Sequence, residues 1–162
     1  MDRLWAPWRL KYITAKKAKG CIFCAALKSK KYPGVIFRSR HSLCILNIFP
    51  YNNGHVMVVP DRHVSDISSL SDAELLDLFK SVNTAKKIIA KALAPDGYNI
   101  GMNLSRHAGA GITGHAHVHI VPRWQGDTNF MPVINDTKII SQSLKELEKQ
   151  LKAAYAGSKR DQ

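Results

Sequence analysis

The sequence predicts an α+β domain built on an antiparallel sheet, with a long central helix and a C-terminal helix. Two apolar runs, 42–48 and 55–60, flank Phe49-Pro50-Tyr51-Asn52-Asn53-Gly54, a segment dense enough in turn formers to read as a tight loop between paired strands. Ser71-Asp72-Ala73-Glu74 is a capping box, and after it Leu75, Leu78, Phe79, Val82, Ala85, Ile89 and Ala92 repeat at helical spacing. Strands kept at hairpin distance, with helices grouped between and after them, belong to an antiparallel α+β arrangement.

The elements follow in order along one domain spanning 1–162. Residues 1–31 form an N-terminal extension, aromatic and basic, that carries Cys21-Ile22-Phe23-Cys24. The core, 32–135, holds the two strands and the helix that starts at Ser71, which has lysines over much of its outer face and ends at Pro95 and Gly97. A third strand is expected over Tyr98 to Asn103, a glycine-rich loop over Ala108 to Gly114, and a fourth strand over His115 to Val121. Residues 136–162 supply the last helix, marked by Ile140, Leu144, Leu147, Leu151 and Tyr155, and a tail.

Bulk properties narrow the function classes. A chain of 162 residues with 45% hydrophobic and 22% charged residues can bury a core and is not of disordered composition. No apolar run approaches the roughly 18 residues a bilayer span requires. Met1 to Lys11 lacks the apolar stretch of a signal peptide, so a cytoplasmic location is expected, with no membrane partner. The net charge of +12 raises the local concentration of anions such as nucleotides. It fits a solvated surface equally well, because much of the excess lies in Lys11 to Lys31 and in the tail. Three cysteines without an export signal argue against a disulfide framework, and Cys44, inside Leu43-Cys44-Ile45-Leu46, reads as a buried small hydrophobe.

The chemistry concentrates in Gly114-His115-Ala116-His117-Val118-His119-Ile120-Val121-Pro122. On a strand, alternate residues share a face, so the three histidines would line one side at about 6–7 Å intervals and Ala116, Val118 and Ile120 the other. A purely structural role would require a partner for each of three polar rings. Two chemical readings stay open: the imidazoles are metal ligands, or one is a nucleophile that the others orient. Ala108-Gly109-Ala110-Gly111-Ile112-Thr113-Gly114 favours the second, since small residues let backbone N–H groups approach a phosphate.

The run His115-Ala116-His117-Val118-His119-Ile120-Val121 resembles the motif of the histidine triad (HIT) superfamily, and the resemblance extends over roughly Cys21 to Trp124. Asn47, Gly54-His55 and Asn103 recur in the family's order. Leu4-Trp5-Ala6-Pro7-Trp8-Arg9 and Val121-Pro122-Arg123-Trp124-Gln125-Gly126-Asp127 are similar to a bacterial branch associated with diadenosine polyphosphate phosphorylase or hydrolase activity. The resemblance implies a nucleotide hydrolase or nucleotidyltransferase in which His117 attacks the α-phosphorus, His119 contacts the phosphate or leaving-group oxygen, and His55 belongs to their hydrogen-bond network. Asn47 would bind the ribose hydroxyls, with Asn103, Gly111, Ile112 and Thr113 also on the substrate and Trp124 stacking on a second nucleoside. Adenine nucleotides would be the substrates and the protein a homodimer. Many relatives place Gln and then Ser or Thr before the triad; here Gly111-Ile112-Thr113-Gly114 leaves phosphate to backbone N–H groups or Thr113.

Cys21 and Cys24 have the spacing of half a zinc site. Histidine triad proteins and the related galactose-1-phosphate uridylyltransferases complete such a site with two histidines, and the matching positions are His63 and His115, with His41 in reserve for the third ligand. The resemblance thus implies a structural Zn2+ in a closed Cys2His2 shell. Trp5 and Trp8, with Arg3 and Arg9, anchor the N-terminus or reach a base or dimer interface. Three competing classes remain: a nucleoside phosphoramidase using the same residues, a metal-dependent hydrolase with a catalytic histidine cluster, and a zinc-stabilised nucleic-acid module. The third leaves the histidine row without a purpose, so no stable nucleic-acid complex is expected.

Overall fold

The computed structural model describes residues 20–128 and 139–158; the expected roles of Arg3, Trp5, Trp8 and Arg9 lie outside them. The elements are α1 (Ile22–Lys28), β1 (Val35–Arg38), β2 (Ser42–Leu46), β3 (Val56–Pro60), α2 (Asp72–Leu93), β4 (Gly97–Met102), β5 (Val118–Arg123) and α3 (Leu144–Ser158). The strands form one antiparallel sheet in the order β1-β2-β3-β5-β4. The antiparallel α+β class expected from the sequence is therefore the observed one.

Helix α2 begins where the capping box places it. Ser71 Oγ accepts from the Glu74 backbone N–H while the Glu74 carboxylate accepts from the Ser71 N–H. It ends at Ala94, which takes a left-handed conformation (φ 44°) just before Pro95. Leu78, Val82, Ala85, Ile88 and Ile89 form its buried stripe, and together with Cys44, Leu46, Val56, Val58, Val118 and Ile120 they make the main core. Phe79, expected on that stripe, is instead half exposed. At about 100° per residue it follows Leu78 off the edge of the packed face. Helix α3 buries Leu147 and Leu151 in the same core and stacks Tyr155 on Phe37, centroids 5.0 Å apart.

Both faces of the central strands are covered. Leu43, Ile45, Met57 and Val59 point away from α2 and meet Phe23 and Ala26 of α1 and Val35 of β1. This double burial explains why the strand sequences read as continuous apolar runs rather than alternating ones. Asp77 ties the β1–β2 turn to α2: its Oδ2 accepts from Ser39 Oγ (2.6 Å), Ser42 Oγ (2.9 Å) and the His41 N–H (3.2 Å).

The strands differ from the expectation in one addition and one boundary. Strand β1 had no separate sequence signal, and the fourth expected strand starts at Val118 rather than His115. The lead-in is withdrawn from the ladder because the Ala116 N–H donates to the Val64 carbonyl at 2.6 Å. At the β2–β3 turn, Gly54 has φ +77°, and a Cβ there would lie 2.6 Å from Leu93 Cδ1 and 2.9 Å from Pro122 Cγ. Only glycine lets this turn pass between the end of α2 and β5.

Candidate active site and metal centre

The three histidines leave the sheet on the face opposite α2. His119 lies on β5 opposite Met57, which belongs to the α1-facing apolar layer, whereas Val118 and Ile120 pack into the α2 core as expected. His115, at a bend, and His117 lie in the segment that leads into β5. The rings do not form an even row: His115 turns toward the cysteines, and His117 and His119 lie together with centroids 4.8 Å apart.

Neighbouring groups fix each ring's tautomer. A carbonyl can only accept, so the 2.9 Å contact between His117 Nδ1 and the His115 carbonyl puts the proton on Nδ1 and leaves Nε2 with a free lone pair. The Tyr51 backbone N–H donates to His55 Nδ1 at 3.0 Å, so neutral His55 carries its proton on Nε2. That proton is donated to His119 Nδ1 at 2.9 Å, which leaves His119 with an N–H at Nε2. The site thus presents one bare imidazole nitrogen, on His117, and one imidazole donor, on His119.

Burial keeps these rings neutral. Removal from water is the main cause that brings His55 down to about 3, helped by the neighbouring His119 and His117 charges. The same cause, with His117 second, brings His119 to about 4. His117 is also lowered by burial, partly offset by its bond to the His115 carbonyl. An imidazole that stays unprotonated at neutral pH retains its nucleophilic lone pair.

The second cluster lies at the other end of the run. One ligand atom each from Cys21, Cys24, His63 and His115 falls within 4.8 Å of the others. Cys21 Sγ is 3.4 Å and Cys24 Sγ 3.7 Å from His115 Nδ1, and Cys24 Sγ is 3.2 Å from His63 Nδ1. Zinc bonds of about 2.3 Å to sulfur and 2.0–2.1 Å to nitrogen give tetrahedral edges of roughly 3.3–3.8 Å, close to these distances. His115 Nε2 donates to the Pro60 carbonyl at 2.8 Å, so its Nδ1 is bare and aimed at the thiols. The donor set therefore fits a four-coordinate metal. His41, the reserve ligand, is not part of this cluster; it sits at the β1–β2 turn, its N–H on Asp77. Gly114 lets the loop pass closely over His63, where a Cβ would meet Nε2 at 3.3 Å.

The remaining sequence candidates are dispersed. Asn47 is close to the histidine pair, Nδ2 3.4 Å from the His55 ring, while its Oδ1 accepts from the Phe49 N–H. Asn103 follows β4, whose last residue, Met102, pairs with Val118. Gly111 and Thr113 line a cavity of about 800 Å³ with Ser65, Asp66, Ser105 and Arg106. Ile112 instead packs on the α1-facing apolar layer. Trp124 lies at the far end of β5, its N–H on Asp127, which also accepts from Asn52.

Two residues at the site had no assigned role in the sequence reading. Tyr51, 56% exposed, lays its ring over both His55 (4.7 Å) and His119 (5.6 Å, nearly parallel). Phe23 is fully buried and touches both His115 and His117. Tyr51 reads locally as one turn residue among several, and Phe23 as the spacer of a C-x-x-C pair. No local signal separates either from those readings.

Comparison with known proteins follows the same lines. The family model for the HIT domain matches residues 28–126. The AP-4-A phosphorylase of Mycobacterium tuberculosis is 34% identical over 166 residues, covering 96% of this chain and 85% of that protein. An asymmetrical bis(5'-nucleosyl)-tetraphosphatase of Schizosaccharomyces pombe is 32% identical over 121 residues, 75% of this chain and 63% of its own. Among solved structures, a Zn-bound histidine triad family protein from Mycobacterium smegmatis superposes with a TM-score of 0.71 at 24% identity, over 88% of this chain and 97% of that one, a likeness of fold.

Proposed function

The chain belongs to the HIT family, and from that premise we propose that it cleaves diadenosine polyphosphates at the α-phosphate through a nucleotidyl-His117 intermediate. The observation that carries the reading is the pair of complementary tautomers, a bare Nε2 on His117 beside an N–H at His119 Nε2. Relatives named as a phosphorylase and a tetraphosphatase support the substrate class.

In the first step the His117 Nε2 lone pair forms a bond to the α-phosphorus, and the bond from phosphorus to the bridging oxygen breaks. The ring gains positive charge, which the His115 carbonyl stabilises through Nδ1–H. The departing oxygen belongs to a phosphate whose second pKa is about 6, so it needs a hydrogen bond rather than a full proton. His119 Nε2–H supplies that bond, held in the right tautomer by His55. Water or inorganic phosphate then attacks the phosphorus and releases His117. Beside the pair, Asn47 would bind the ribose hydroxyls, and exposed Ile48, Phe49 and Tyr51 would offer an apolar platform for a base.

Cys21, Cys24, His63 and His115 would hold zinc as a structural tie between the N-terminal segment and the histidine run. A shell closed by four protein ligands leaves no position for an attacking water. A second copy would pair along the open edge of β4, where Ile100 is exposed. No helix among the described residues is long and apolar enough to cross a membrane.

The test is incubation with diadenosine tetraphosphate, with and without inorganic phosphate, and chromatography of the products. ADP and ATP formed only with phosphate identify a phosphorylase; AMP and ATP in plain buffer identify a hydrolase. Turnover by His117→Ala at the wild-type rate would overturn the reading.

A further inference from the structure

Phe23 stands between the two clusters. Its side chain is fully buried, so it does not meet substrate, yet its ring lies 5.5 Å from His115, edge to face, and 5.0 Å from His117. In sequence it is enclosed by Cys21 and Cys24, the two thiols of the metal cluster. Whatever fixes those thiols also fixes the first turn of α1, and with it the Phe23 Cα.

The His117 ring needs such a support. One hydrogen bond, Nδ1 to the His115 carbonyl, pins a single point of the ring and leaves it free to swing about that point. The direction of the Nε2 lone pair is set only when the ring is also held from its sides. His119 supplies one contact, at 4.8 Å and 64°, and Phe23 another, at 5.0 Å and 52°. Because displacement of a reacting atom by about 1 Å can cost on the order of 100-fold in rate, a side contact of this kind acts on the chemical step.

We propose that Phe23 is a positioning residue for His117, through which the hold of the Cys21–Cys24 knuckle on α1 reaches the nucleophile. The proposal rests on the reading of His117 as nucleophile. It separates Phe23 from Leu43, equally buried in the same apolar layer, which lies on β2, a strand that pairs with β1 and β3 and not with the histidine strand.

The experiment compares the metal-loaded wild-type protein with Phe23→Leu and Leu43→Ala, measuring single-turnover cleavage of diadenosine tetraphosphate, KM, bound zinc, melting temperature and the imidazole NMR signals. Phe23→Leu should keep its zinc and a KM within about twofold of wild type, lose about tenfold or more in the single-turnover rate, and shift or broaden the His117 signals. Leu43→Ala should melt earlier yet cleave at close to the wild-type rate. An undiminished rate in Phe23→Leu overturns the proposal, as does an equal loss of rate in both variants. If Phe23→Leu does not fold, Phe23→Met is the deciding measurement: its single-turnover rate should fall while zinc and KM hold, and an undiminished rate overturns the link. Failure of the nucleophile reading would show separately, as retained activity in His117→Ala.

Discussion

His115 and His119 lie four residues apart on one run, yet their Nδ1 atoms serve different ends. Each is unprotonated, one because Nε2 donates to the Pro60 carbonyl and the other because it accepts from His55. At His115 that lone pair faces two thiols and the His63 nitrogen, a donor set that takes a cation when the thiols give up their protons. At His119 the lone pair is already satisfied by His55, and the opposite N–H is the atom that the proposed mechanism assigns to the departing oxygen. What a histidine does here is decided by the hydrogen-bonding group behind it, the Pro60 carbonyl for His115 and the His55 ring for His119.

The largest effect expected from this contrast is at the catalytic end. His117→Ala should lower the rate of diadenosine tetraphosphate cleavage by at least about 1000-fold with zinc still bound, read by product chromatography and metal analysis. Loss of zinc together with activity would show that the two ends are not separable. Cys24→Ala should do the reverse, removing zinc and lowering Tm on the order of 10 °C in a calorimetric scan, with a smaller loss of rate. If it abolishes turnover as completely as His117→Ala while Tm holds, the knuckle is more than a structural tie.

His55→Ala sharpens the catalytic side of the comparison. Without the Nε2–H of His55 to accept from, His119 is no longer held in one tautomer, and kcat should fall about 10–100-fold with KM little changed. A rate equal to wild type would remove His55 from the mechanism. The same pair gives the protein a pH signature. Both groups titrate lower folded than unfolded, so the unfolded chain binds more protons below the usual histidine value near 6.5. Their contribution to stability is therefore whole above that pH and is lost as pH falls toward the folded values of about 4 and 3. Thermal melts should show Tm dropping between pH 7 and 5, and more shallowly in the His55→Ala variant.

The smallest effect is expected away from both ends. Ser105 holds φ 77° and ψ 165°, a region open to glycine and strained for serine. Ser105→Gly should relieve on the order of 1 kcal/mol, measured by urea denaturation, without displacing either cluster.

The extent to which the sequence disclosed this arrangement follows the range of each signal. The capping box, the helical stripe of α2 and the hairpin of β2 and β3 are local patterns and appear where expected. The start of β5 is not legible locally, because a backbone bond to Val64, distant in sequence, takes Ala116 out of the ladder. The C-x-x-C spacing indicates half a metal site, but its other half comes from residues 39 and 94 positions away, and His63 was preferred over His41 through family resemblance rather than spacing. Alternation indicates that the three histidines belong together. It does not indicate which nitrogen each exposes, because that depends on Pro60, Tyr51 and the His115 carbonyl. Phe23 and Tyr51 acquire their positions only when α1 and the β2–β3 turn close over the sheet.

Gly54, squeezed between Leu93 and Pro122, bears on how the protein tolerates redesign. The turn beside it carries Ile48, 59% exposed, and a library that randomised that position would sample many acceptable surfaces. The same library extended to position 54 should return glycine almost alone. Any side chain there wedges the helix from the strand and drags the adjoining His55 out of register with His119. The β2–β3 turn is thus open to variation at its rim and closed at its root.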